Sequence, residues 1–173
     1  MIKVLSVVLS VVIFALLSIG IAGYVSNPEY VSSTTFEIDQ SPENIWKELI
    51  DVRQSDIKKG DVESVDIVET YGELVAWQEN LKNGGYRRYR MTYRVENQNL
   101  VIELTDSSYG LTGTWYFVLE QNGKTTKITI NEESRLTDFK IRGFRYFFGR
   151  NHDLLVWVKY IKVGVLERLL TTP

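Results

Sequence analysis

The chain has 173 residues with 22 acidic and 20 basic side chains and no cysteine, a length that suits one domain of ordinary size. The near balance of charge removes the strong positive field on which a general nucleic-acid binder relies. Without cysteine there is no disulfide, thiolate zinc site or cysteine nucleophile, and either redox compartment remains open.

From Val4 to Val25 no residue is charged. At about 1.5 Å per residue this run makes a helix just long enough to cross a hydrocarbon core of about 30 Å. Residues 1–25 are therefore expected to form a single membrane anchor. The alternative is a cleaved signal peptide, for which Gly20 and Ala22 supply small residues, although the apolar stretch is longer than a usual signal core. Lys3 and the amino terminus precede the run and Glu29 follows it, so the positive-inside bias leaves the N-terminus in the cytoplasm and exports the rest. Cleavage would give a secreted domain instead.

Residues 26–33, with Asn27, Pro28 and two serines, read as a linker, and residues 34–173 as the folded domain. Thr34 to Ile38 reads as a strand. In SPENIWKELID, Ser41 can cap a helix, Pro42 takes its first position and Ile45, Trp46 and Leu49 form its apolar face. A short helical piece is expected around Val52 to Ile57, closed by Gly60.

Between Val62 and Leu136 the pattern has a period of two, giving six antiparallel strands of about 7 to 10 residues each. The breaks fall at Tyr71–Gly72, Asn83–Gly85, Asn97–Asn99, Ser107–Gly110 and Asn122–Gly123, where the residues tolerate turn geometry. In the strand around Tyr89, the residues Tyr89, Met91, Tyr93 and Val95 share one face and Arg88, Arg90, Thr92 and Arg94 the other. Leu100, Ile102 and Leu104, then Trp115, Phe117 and Leu119, then Ile128 and Ile130 continue the apolar face. Beyond Asp138 the period lengthens, and Leu154, Val158, Ile161, Val165 and Leu169 mark one long C-terminal helix. Asp138 and Asn151 are possible caps, and Gly149 a break ahead of that helix.

This order of elements, with a strand leading into a Ser-Pro helix that carries a Trp on its buried side, resembles the START and Bet v 1-like superfamily over about residues 33–170. The family includes polyketide cyclases and lipid-transfer proteins. The resemblance implies an α+β helix-grip fold, a curved antiparallel sheet of about seven strands around the last helix, with a cavity for a lipid or other small hydrophobic ligand between them. Independently, the sheet must bury its apolar face, and the C-terminal helix is the long amphipathic partner on offer. Tyr89, Met91, Tyr93, Trp115, Phe117, Trp157 and Ile161 are the expected cavity residues, rings with polar tips set in an apolar wall. The same residues could equally well fill a core.

Chemistry-bearing residues are few. His152 is the single histidine, so no multi-histidine metal site can be assembled, and no cofactor is expected. It is either an acid or base at the cavity mouth or a solvated residue in a helix's first turn. Glu132 shares the face of Ile128 and Ile130, where burial would raise its pKa and suit it to proton transfer; the plainer reading pairs it with Arg135. Glu132 and His152 are the catalytic candidates if the chain is a cyclase- or dehydratase-like enzyme. Arg142, Phe144, Arg145, Phe147 and Phe148 interleave basic residues with rings, as suits a bilayer surface; equally, the rings can pack under the sheet's edge while the arginines stay in water. A third reading makes the face of Arg88, Arg90 and Arg94 a contact for an acidic protein partner.

Overall fold

The computed structural model describes residues 2–52, 60–149 and 152–171. Helix α1 covers Ile2–Val25, and only Ser26–Pro28 separate it from strand β1, Glu29–Ile38. The strand thus starts ahead of Thr34, inside the stretch read as a linker, because Glu29 to Ser33 pair with Arg135 to Asn131 of the last strand. Tyr30 and Val31 favour an extended backbone, and serines do not prevent one when a ladder is available. Helix α2, Pro42–Ile50, begins as its sequence predicts. The Ser41 side chain accepts from the Asn44 amide at 3.4 Å, satisfying one of the donors a helix leaves unpaired at its start. Its buried face carries Ile45, Trp46 and Leu49 together with Glu48. The helical piece expected over Val52–Ile57 lies, beyond Val52, outside the described residues.

Six strands follow: β2 Val62–Tyr71, β3 Leu74–Leu81, β4 Tyr86–Val95, β5 Asn99–Ser107, β6 Leu111–Asn122 and β7 Thr125–Leu136. They join β1 in one sheet of seven strands, ordered β1-β7-β6-β5-β4-β3-β2, with every neighbouring pair antiparallel. Gly84 and Gly123 turn two of the hairpins at φ of 82° and 62°, left-handed values that a side chain would oppose. Helices α3, Phe139–Phe148, and α4, His152–Thr171, complete the chain.

Helix α4 supplies Leu154, Trp157, Tyr160, Ile161 and Val165 to a core that the sheet closes with Leu100, Ile102, Phe117, Ile128 and Ile130. The buried stripe runs through Trp157 rather than Val158, which is half-buried. Helix α2 packs on α4 where Gly164 meets Glu48: a Cβ on Gly164 would overlap the Glu48 carboxylate.

Strand β4 departs from simple alternation near its end. Met91 pairs with Ile102 while Tyr93 pairs with Val101, so Thr92 is an extra residue in β4. Such a bulge exchanges the two faces beyond it. Tyr93 therefore points outward, 53% exposed, and is not a cavity residue. Arg94 swings inward instead, its guanidinium 5.5 Å from the centre of the Trp46 ring and 3.3 Å from the Glu73 carboxylate.

Candidate functional site

Between the sheet and the first turns of α4 lies a cavity of about 280 Å³, walled by Tyr89, Leu111, Trp115, Val156 and Trp157 and bordered by Asp61, Arg87 and Asp153. Its volume falls just below the range of small-molecule pockets, about 300 to 1,000 Å³. The walls are braced from behind. Trp77 stacks on Tyr89 at 5.2 Å between ring centres, and Phe117 meets the Trp157 ring edge-on at 5.1 Å. Met91, Phe117 and Ile161 belong to the packed core around the cavity and not to its lining.

The polar side of the cavity is built by alternation on β3 and β4. Glu79 follows Trp77 on the inward face of β3 and is fully buried. Arg87, two residues before Tyr89, faces the same way and lies opposite Glu79 in the ladder. Its Nε is 2.8 Å from the Glu79 carboxylate, and its Nη2 donates to Asp61 at 2.7 Å. Burial works against the Arg87 charge, but Tyr89, Glu79 and Asp61 more than offset it and its pKa lies above the ordinary arginine value. Arg87 is thus a fixed cation on the cavity rim. On the other side, Arg145 of α3 forms an ion pair with Asp153 of α4. Charged rim residues were not anticipated from the sequence, because arginines and carboxylates in a strand pattern are normally assigned to the wet face. The signal that could have found them is the opposite charge of Glu79 and Arg87 across the Asn83–Gly85 hairpin.

Three indole donors, Trp46 Nε1, Trp77 Nε1 and Trp115 Nε1, are buried and have no hydrogen-bond partner among the described residues. An unpaired buried donor is unfavourable by about 1 to 3 kcal/mol. Trp115 lines the cavity, so an acceptor on a bound molecule is one way to satisfy it.

Glu132 lies on the inward face of β7, 1% exposed, and is not part of the cavity lining. It accepts from Ser134 at 2.6 Å and from Ser32 at 3.2 Å; no ion pair to Arg135 accompanies it among the described residues. Burial, and after it the Asp153 charge, raise its pKa, against the hydrogen bonds from Ser134 and Ser32 and the Arg145 charge. The side chain of His152 lies outside the described residues. Among the described residues no group of three or more His, Asp and Glu side chains is placed to hold a metal ion.

Helix α3 is arranged differently from a free basic patch. Arg142 is half-buried and donates through Nε to the Gly23 carbonyl of α1 and through Nη1 to Leu136 at 3.2 Å. Arg145 is committed to Asp153. Neither arginine is therefore on open surface; both answer carbonyls or carboxylates inside the fold. Phe144 and Phe147 are exposed, and the side chain of Phe148 lies outside the described residues. A second groove, of about 370 Å³, runs beneath α3 past Leu136, Ile141, Phe144 and Arg145, and shares Arg87, Leu111 and Asp153 with the cavity.

The outward arginines of β4 are also paired. Arg90 is 2.7 Å from Glu103 and Arg88 is 3.7 Å from Asp106, and Arg94 has left that face at the bulge. The basic surface expected for an acidic partner is thus largely neutralised within the sheet.

No family profile and no curated protein matches the sequence. Solved structures do match. An aromatase/cyclase from Streptomyces sp. R1128 superposes with a TM-score of 0.68 at 8% identity, covering 82% of this chain and 96% of its own. A START superfamily protein from Mycobacterium smegmatis gives 0.61 at 13% identity, with 79% and 97% covered. Norcoclaurine synthase from Thalictrum flavum, in complex with dopamine and hydroxybenzaldehyde, gives 0.60 at 14% identity, with 85% and 91% covered. These identities speak for architecture alone, and with seven antiparallel strands gripping a long last helix the chain has the helix-grip fold of the START and Bet v 1-like superfamily.

Proposed function

We propose that the chain is a membrane-anchored module that binds a small, mainly apolar molecule with a polar edge between the sheet and α4. The observation that carries this reading is the cavity beside Trp115 and Trp157, with a ring-lined wall, a fixed Arg87 cation and an indole donor that has no partner among the described residues. Aromatic walls supply contact area, and a few placed polar groups set orientation. The folds it resembles include proteins named for work on aromatic compounds, the aromatase/cyclase and the synthase bound to dopamine and hydroxybenzaldehyde. That likeness supports a flat ring compound, or a lipid with a short polar head, as the ligand class.

The anchor is α1. Val4–Val25 is long and apolar enough to span a bilayer, and most of its side chains are exposed, the helix packing on the domain around Ala22 and Gly23. Retention is favoured over cleavage because Arg142 bonds to Gly23, and removal of α1 would leave that guanidinium and the glycine seat on α3 uncovered. The charge bias of Lys3 against Glu29 supports a cytoplasmic N-terminus with the domain exported.

Mass spectrometry of small molecules extracted from the full chain, purified in mild detergent from its own membrane, tests the reading. A stoichiometric apolar compound absent from a Leu111→Trp variant, whose larger ring fills the cavity, is the expected result. Equal recovery from both variants, or an empty parent, would sink it. A cyclase- or dehydratase-like enzyme is the second reading, favoured by the buried Glu132 carboxyl on the inward face of β7, which feels the charge of Asp153 on the cavity border. It requires Glu132→Gln to abolish turnover of the extracted compound while leaving it bound.

A further inference from the structure

Helix α3 does not stand free of the anchor. A Cβ on Gly143 would overlap the Ile19 carbonyl, and one on Gly23 would overlap the Phe139 carbonyl, so the two backbones touch at paired glycines. Small residues at a crossing permit this approach. Arg142 locks the same junction by donating to Gly23. The crossing has a definite height. Ile19 and Gly23 lie six and two residues before Val25, the end of the span, or about 3 to 9 Å back along the helix axis.

That height determines what surrounds α3. With Gly143 against α1 and Arg145 turned to Asp153, the helix presents Lys140, Phe144 and Phe147 outward at i, i+4 and i+7. Phe144 and Phe147 are each 53% exposed, a combination that water would not favour over a headgroup region. Both arginines that would have drawn anionic lipid are engaged inside the protein, so the face is apolar with one lysine.

We infer that α3 is a second membrane contact, clamped to α1 by the Gly23–Gly143 crossing and lying in the headgroup and acyl boundary of the bilayer through Phe144 and Phe147. The inference rests on α1 being a span. The occupant of the face is the lipid surface itself, bound by apolar insertion and without need of anionic lipid. One consequence concerns the ligand: the groove beneath α3 then opens at the bilayer and leads past Arg87 and Asp153 to the cavity, a route for an amphiphile that never enters water.

The absence of cysteine makes the test direct. Single Phe144→Cys, Phe147→Cys, Val12→Cys and Lys124→Cys variants of the full chain carry a nitroxide label in pure phosphatidylcholine vesicles, and depth is read from accessibility to oxygen against a water-soluble relaxer. Lys124 lies in the turn just ahead of the far end of β7, a strand of about 40 Å at about 3.3 Å per residue. The labels at 144 and 147 are expected about 5 to 10 Å below the phosphates, with 12 deep in the core and 124 in water. Adding anionic lipid should leave these depths unchanged, and Gly143→Leu should lift 147 without moving 12. If 144 and 147 match 124 while 12 is deep, the contact is refuted and the anchor stands; if 12 is also in water, the anchor reading fails and takes the contact with it. Depth gained only with anionic lipid, or untouched by Gly143→Leu, overturns apolar insertion or the clamp respectively.

Discussion

The two ends of the sheet–helix interface obey different rules. Toward its C-terminal half, α4 presents Ile161 and Val165 to the packed core and lets the Glu48 carboxylate occupy the place a Cβ on Gly164 would take. Around its first turns the same helix faces a cavity rimmed by Arg87, Asp61, Asp153 and, behind Arg87, Glu79. Apolar side chains interdigitate until voids vanish, whereas groups that must keep their ion-pair geometry cannot move in to fill one. The difference teaches that this fold makes its opening with charges placed on the inward face, not by removing bulk from it.

Breaking the packed end is expected to have the largest effect. Ile161→Ala truncates a fully buried side chain and should lower unfolding free energy by about 2 to 5 kcal/mol, read from urea denaturation at constant slope. A loss below that of an exposed residue would mean that the packed end is already loose. At the rim, Arg87→Met leaves Glu79 buried without its cation, a change worth about 3 kcal/mol. The double variant Arg87→Met with Glu79→Leu should recover most of this, since an apolar pair of similar volume replaces the charges. A double variant no better than the single one would show that the rim is held by something else.

Glu132 sharpens the comparison through pH. Its folded-state pKa is raised above the usual 4.5, first by burial, so the native state holds this proton more tightly than the unfolded chain. Stability from this group is therefore fully present below the unfolded value and declines as pH rises through the folded one. Urea unfolding of the parent and of Glu132→Gln from pH 4 to 8 should show the parent losing ground to the variant above about pH 4.5, by at most about 1.4 kcal/mol per pH unit. Parallel curves would remove Glu132 as a strained group.

Much of this architecture is legible before any coordinates. The hairpins at Gly72, Gly84 and Gly123 announce themselves by turn chemistry, Ser41–Pro42 fixes the start of α2, and Asp138 caps α3 by accepting from Lys140 at 2.8 Å. What resisted reading has physical reasons. The bulge at Thr92 is a mismatch between two strands, β4 and β5, and neither alone carries its mark, so Tyr93 and Arg94 were assigned to the wrong faces. Glu79 and Arg87 are legible only as a pair, because each alone belongs in water by ordinary rules. The seat of α1 on α3 joins Gly23 to Gly143 across the whole domain, and a glycine in a helix does not disclose its partner. Arg142 and Arg145 accordingly resembled a surface patch while serving a carbonyl and a carboxylate.

The smallest effect discriminates best between a filled and an unfilled opening. Trp77 and Trp115 both bury an indole N–H that has no partner among the described residues, yet only Trp115 lines the cavity. Replacing either with Phe removes the unsatisfied donor along with some ring contact, two changes that oppose each other. The stability of the empty protein should therefore shift by less than about 1.5 kcal/mol in both variants. Ligand retention separates them: if an acceptor on the bound molecule takes the Trp115 donor, Trp115→Phe should weaken binding by about 0.5 to 1.5 kcal/mol, a factor of about 2 to 13. Trp77→Phe, one ring behind Tyr89, should leave it unchanged. Equal loss in both would trace the effect to wall packing, and no loss in either would mean that the polar edge of the ligand is met by Arg87 instead.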